Sequence, residues 1–232
     1  MEKSMKKTLI SKLQVICGVV GLAFGLAATQ SQAAGGHNVD LQKAPINLED
    51  KASLQRGARL FTDYCMGCHS VNYIRYERLT TDLSIPEELV KQEFIFNDKD
   101  IFAQMRISTP AEYGKKWFGT TPPDLTLATR WRSPDWVYSY LLGFYEDSSR
   151  PYGVNNHVFP NVGMPHIMAN MQASVSDEEF KASMGDLTNF LTYTADPDKL
   201  ERESIGRWIL IFLAILFIPV WFLNREYWKN VH

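Results

Sequence analysis

Five consecutive residues, Cys65-Met66-Gly67-Cys68-His69, narrow what this chain can fold into more than any other feature. On a helical turn, positions i, i+3 and i+4 share a face, so two thiols and an imidazole point the same way. Three chemistries use such a set: a dithiol redox centre, half of a zinc site, and covalent attachment of a c-type haem. The redox use wants a thioredoxin-like βαβ context, which the flanking sequence lacks. Zinc needs two further ligands at similar spacing. The only other cysteine, Cys17, lies in a segment expected to be removed. The pattern therefore predicts one covalent haem c, with Cys65 and Cys68 as thioether attachment points and His69 on the iron.

The two ends of the chain set where such a group would work. Lys3, Lys6, Lys7 and Lys12 precede an apolar run from Val15 to Ala28, and Ser31-Gln32-Ala33 follows. That order is a secretory signal peptide, residues 1–33, with cleavage near Ala33. Near the other end, residues 205–223 are apolar apart from Arg207, with Trp208, Trp221, Tyr227 and Trp228 as interfacial anchors. Nineteen residues of helix span about 28 Å, close to the hydrocarbon thickness. Arg225 and Lys229 in the tail, 224–232, place that tail in the cytoplasm. The expected topology is a periplasmic domain, 34–204, on a single-pass anchor in the bacterial inner membrane.

Within that domain, Leu54, Ala58 and Phe61 repeat at helical spacing and predict a helix over 51–64. Residues 86–105 read as one or two helices interrupted at Asn97-Asp98, and 109–123, with three prolines, as loop. Ser133-Pro134 caps a helix reaching about Phe144. Ser176-Asp177-Glu178-Glu179 is a capping box for a helix to about Thr194. Residues 148–165, with three prolines and two glycines, read as irregular, and no strand pattern is convincing. The fold class is mainly α, a haem domain with long loops and one C-terminal transmembrane helix. Loops of that length imply that something other than side chains fills the middle.

The sixth iron ligand must come from well downstream. Met164, in Gly163-Met164-Pro165, lies where irregular backbone can bring a thioether to the iron. Met168 and Met171 follow at i+4 and i+7, a stripe better suited to a packed face, and Met105 fits an apolar core pattern. His157 and His166 share the region, but loop histidines are more often solvated or structural than ligating.

These residues in this order resemble the cytochrome c1 family, the haem subunits of ubiquinol–cytochrome c reductase (bc1) complexes. The likeness runs over essentially the whole mature chain. It includes Cys65 to Ser70 with Tyr73 and Tyr76, Pro122-Pro123-Asp124-Leu125, Arg130-Trp131-Arg132, the aromatic stretch Trp136 to Tyr145, Phe159-Pro160, Gly163-Met164-Pro165, and Asp196-Pro197 with Arg202 and Gly206. The resemblance implies that His69 and Met164 are the axial ligands. It implies that Arg132, or Arg130 in a slipped register, neighbours a haem propionate. It also implies cytochrome b and Rieske iron–sulfur subunits as partners, and a soluble periplasmic cytochrome c as acceptor. On residues alone, Pro122 to Leu125 reads as a turn in which Asp124 caps a short helix. A free-standing tethered carrier or an oxidase haem subunit stays open as an alternative. A dihaem peroxidase would need a second C-x-x-C-H, which is absent.

Charge sharpens the expected partner. The whole chain is at −2, which excludes a basic nucleic-acid-binding surface. Without its basic ends, the exported part carries 17 basic against 24 acidic residues, a net charge of −7. An acidic surface steers a cationic partner, raising encounter rate more than affinity. Glu146-Asp147 and Asp177-Glu178-Glu179 are the expected contributors.

Overall fold

A computed structural model describes residues 39–96, 100–107 and 109–230, all within one compact unit. The expected signal peptide, with Cys17 and the cleavage site, lies outside the described residues, as does Asn97-Asp98. Helix α1, Lys51–Leu60, begins where Asp50 accepts the Ser53 amide at 3.0 Å. It continues into one π-helical turn, Phe61–Cys65, closed by Met66 N–H donating to the Phe61 carbonyl. Strand β1, Val71–Arg75, follows, then helices α2, Glu77–Thr81, and α3, Glu87–Glu93. Strand β2, Gln104–Met105, pairs antiparallel with β1, Val71 opposite Met105. Next come α4, Ala111–Phe118, α5, Ala128–Arg132, and α6, Pro134–Leu142. Strands β3, Phe144–Glu146, and β4, Val154–Asn156, form a second antiparallel pair. Helices α7, Ala169–Ser174, α8, Asp177–Ala195, and α9, Lys199–Tyr227, complete the order.

Three sequence expectations need correction. The helical reading of 86–105 survives only as α3, and Gln104–Met105 is strand; Met105 is fully buried against β1, as its apolar pattern suggested. The expected loop 109–123 contains α4, which Pro110 opens and Gly119 closes in the left-handed region at φ 75°. The absence of strands also fails: the irregular stretch after α6 is partly the β3–β4 hairpin. Both sheets are two-stranded and very short, too short for period-two patterning to show in sequence. The capped helices appear where expected, Ser133 accepting the Trp136 amide at 3.2 Å and Ser176 that of Glu179 at 3.3 Å.

The core is built on α1 against α8. Phe61 and Phe190, both fully buried, meet with ring centroids 5.8 Å apart. The helices approach so closely that a Cβ on Gly57 would lie 2.1 Å from the Asp186 carbonyl oxygen. Arg56 pairs with Asp186 at 2.6 and 3.0 Å at the rim of the same contact. Burying this apolar seam holds the π turn, and the motif that follows it, on a rigid support. The extended arm at 39–47 is tied down by side chains, Asn189 accepting the Asn47 amide and Asp135 that of Ala44.

Helix α9 is, among the described residues, the one helix long and apolar enough to cross a membrane. At 1.5 Å per residue it is about 43 Å long, and its apolar residues are exposed in the isolated chain. Pro219 lies inside it, a residue that membrane-spanning helices tolerate. Arg225 sits 5.8 Å over the Trp221 ring near its end. At its start, Arg202 grips Asp196 with two hydrogen bonds of 2.5 and 2.6 Å. Arg78 bridges Asp82 and Asp198 at 3.0 Å, and the Tyr193 hydroxyl donates to Asp82 at 2.6 Å. These bonds brace the Asp196-Pro197-Asp198 junction between α8 and α9.

Candidate functional site

The π turn delivers Cys65 into a tight helical turn in which the Cys68 and His69 amides both donate to the Cys65 carbonyl, at 3.0 and 2.8 Å. The i, i+3, i+4 geometry expected of the motif is therefore formed. Both cysteines are half-buried. Burial, with Cys68 adding to it, pushes the Cys65 thiol up to about 12.

His69 is buried, and its Nδ1 lies 2.7 Å from the Pro123 carbonyl oxygen. A carbonyl can only accept, so Nδ1 carries the proton and Nε2 keeps its lone pair. Burial pushes the imidazole below its ordinary value, opposed by the Pro123 carbonyl and Asp124. A neutral ring with a free Nε2, oriented by a backbone carbonyl, is what a metal-binding histidine requires.

Pro122 to Leu125 does more than turn. Leu125 N–H donates to the Ser70 carbonyl at 2.8 Å, and Ser70 Oγ accepts the Ile107 amide at 3.0 Å. Asp124 does not cap a helix; its carboxylate bridges the Asn72 amide, at 2.9 Å, and the Thr126 amide, at 3.0 Å. The segment thus clamps the chain leaving the motif while Pro123 orients His69.

Met164 is half-buried, and its sulfur lies 3.5 Å from the Tyr140 hydroxyl on α6. Tyr140 stacks on Trp136, 5.2 Å between centroids at 10°, and meets Phe144 edge-on at 5.3 Å. Burial raises its phenol above the ordinary value. A Cβ on the neighbouring Gly163 would stand 3.6 Å from the Thr120 methyl. Thr120 is three residues before Pro123, a span of at most about 11 Å of chain. One short segment therefore touches both His69 and the loop that carries Met164.

The arginines separate. Arg132 Cζ lies 4.0 Å from the Trp131 ring and 5.0 Å from the Trp136 ring, so it shares Trp136 with Tyr140. Arg130 is exposed; at the α8–α9 junction, Arg202 holds the Asp196 carboxyl below its ordinary value, and the charge of Arg130 adds to that. The two loop histidines are occupied otherwise: His166 stacks on Phe144 at 4.7 Å, and His157 on Tyr145 at 4.3 Å. Met168 is buried and Met171 partly so, as their stripe suggested. Two surface cavities, of about 340 and 180 Å³, are lined around Arg59 and Phe94 and around Leu54 and Pro197, and neither includes a motif residue.

Sequence reasoning missed Tyr140, Asn155 and Asn156. Asn156 is fully buried, donates to the Tyr140 carbonyl at 2.8 Å and accepts the Val158 and Phe159 amides. Asn155 Oδ1 accepts the Asn156, Asn161 and Val162 amides. An Asn-Asn pair flanked by glycine and proline reads as exposed turn; only the aromatic run from Trp136 hinted at a partner for Met164.

Comparison with known proteins agrees with this geometry. The sequence model of the Cytochrome C1 family matches residues 42–231. A cytochrome c1 from Allochromatium vinosum is 45% identical, over 90% of this chain and 97% of that one. A protein from Nitrosomonas europaea named ammonia monooxygenase gamma subunit is 33% identical, over 86% of this chain and 92% of that one. A cytochrome c1 from Rhodospirillum rubrum is 26% identical, over 97% of this chain and 98% of that one.

Proposed function

The chain belongs to the cytochrome c1 family, and from that premise we propose that it carries electrons on the periplasmic face from a Rieske iron–sulfur protein to a soluble cytochrome c. Membership makes it a haem electron-transfer subunit of a bc1 complex with one covalent haem c. Helix α9 suits a single-pass anchor.

The haem, when attached, supplies a centre that takes up and gives back one electron. Cys65 and Cys68 would hold it as thioethers, and their shared turn sets its orientation. His69 would bind the iron through Nε2, and Met164 would complete the ligand set through its sulfur. Arg132, whose charge lies beside Trp136, would neighbour a propionate, with Arg130 the alternative. The observation that carries this reading is the 2.7 Å bond from His69 Nδ1 to the Pro123 carbonyl. It leaves Nε2 basic on the same turn as both thiols. The fit of the residues to a haem follows from that donor set.

The signal peptide and the basic tail support periplasmic placement, and the net charge of −7 supports a cationic acceptor. Purified from membranes in mild detergent, the chain should bring a cytochrome b and a Rieske protein with it. Its oxidation by a cationic cytochrome should slow steeply with ionic strength. A chain that purifies alone favours the free-standing carrier, and a flat salt response overturns electrostatic steering. The Nitrosomonas relative's name offers another assembly; a monooxygenase in place of cytochrome b would favour it.

A further inference from the structure

We propose that Tyr140 is a positioning residue for Met164, its hydroxyl donating to the thioether sulfur and so selecting the lone pair that faces iron. The inference rests on the reading of Met164 as the sixth ligand.

A thioether sulfur is a weak hydrogen-bond acceptor with two lone pairs. A donor on one lone pair leaves the other for the metal. Here the donor is Tyr140 Oη, 3.5 Å from Met164 Sδ. The ring that carries it is held on two faces, stacked on Trp136 and edge-on to Phe144. Its backbone is held as well, since Asn156 Nδ2 donates to the Tyr140 carbonyl at 2.8 Å. The same Asn156 side chain accepts the Val158 and Phe159 amides, on the chain that leads to Met164. One fully buried amide therefore ties the donor's helix to the acceptor's loop. Buried hydroxyls without partners are costly, so the pairing is favoured from both sides.

The bond has an electronic consequence. Donation to sulfur draws electron density away from iron and favours the reduced, electron-rich state. Tyr140→Phe keeps the ring packing and deletes only the donor. In the full-length haem-loaded chain it should lower the equilibrium constant for reduction by about two- to tenfold, the range of one neutral hydrogen bond. It should also shift the thioether-to-iron charge-transfer band. Tyr76→Phe is the internal control, because it removes a contact of the same kind, to Met66 at 3.7 Å, away from the loop. That variant should leave the band in place. The proposal is overturned if Tyr140→Phe changes neither readout while Met164→Leu abolishes the band, or if Tyr76→Phe shifts both equally. A Met164→Leu variant that keeps the band sinks the ligand reading itself. Should Tyr140→Phe fail to fold, the unmodified protein decides. Transfer to D2O should move its iron–sulfur stretching frequency, and a frequency that stays put contradicts the bond.

Discussion

The two sides of the candidate haem site are held by different means. The His69 side stands on the packed seam of α1 and α8, where Phe61 and Phe190 are fully buried and Gly57 admits no side chain. The Leu125 amide, donating to the Ser70 carbonyl, and the Asp124 bridge lock the chain that leaves it. The Met164 side has no such helix pair behind it. It hangs on Asn155, Asn156 and Tyr140, side chains whose hydrogen bonds tie loop backbone and the Met164 sulfur in place. The first kind of support resists through close packing, the second through a network that fails when a member is lost. On the proposed ligation, this contrast makes Met164 the more easily displaced of the two ligands.

The largest effect expected from breaking this contrast is at Gly57. Its replacement by Ala puts a Cβ 2.1 Å from a backbone oxygen that cannot yield. It should cost at least about 3 kcal/mol, the upper part of the overpacking range, and abolish haem attachment. A chain that still melts near the wild-type temperature would show that the seam is not rigid.

Next is Asn156→Ala, which strands the Val158 and Phe159 amides and should cost about 1–3 kcal/mol. Its damage should fall on one side, with the haem still covalently bound and the Met164 spectral signature weakened. Equal loss on both sides, seen by optical spectra against far-ultraviolet dichroism, would erase the distinction.

Acid offers a milder probe. Ser149 and Asn155 hold the half-buried Asp147 carboxyl below its ordinary value. A depressed carboxyl stabilises the fold above its unfolded pKa, about 3.9, and that support is lost as pH falls through its lower folded value. Asp147 bonds Asn155, so acidification below about pH 4 should loosen the Met164 side before helical dichroism falls. Coincident transitions would contradict this. The smallest effect is expected from Gly163→Ala, whose added Cβ would meet Thr120 at an ordinary 3.6 Å; its thermal midpoint should match wild type.

The same division explains what could be read from the sequence. Cys65, Cys68 and His69 sit in a contiguous pattern whose spacing is its geometry, and the capped helices α6 and α8 carry local signals at Ser133 and Ser176. Helix α4 was misread as loop, because the surrounding prolines outweighed the bracket that Pro110 and Gly119 place around it. The strands were not legible, being two to five residues long. Nor was the Asn155–Asn156 network, because a buried asparagine and a turn asparagine look alike until the backbone amides they accept are in place. Tyr140 lay within a recognised aromatic run, yet only the fold pairs it with a sulfur 24 residues on.

The account stands or falls on whether the two supports meet at one iron. The ferric full-length protein should show the spectroscopic signature of histidine–methionine ligation, read by magnetic circular dichroism, and Met164→Leu should lose it while the haem remains attached. A wild-type signature of two histidines, or a Met164→Leu protein that keeps the thioether signal, would contradict it.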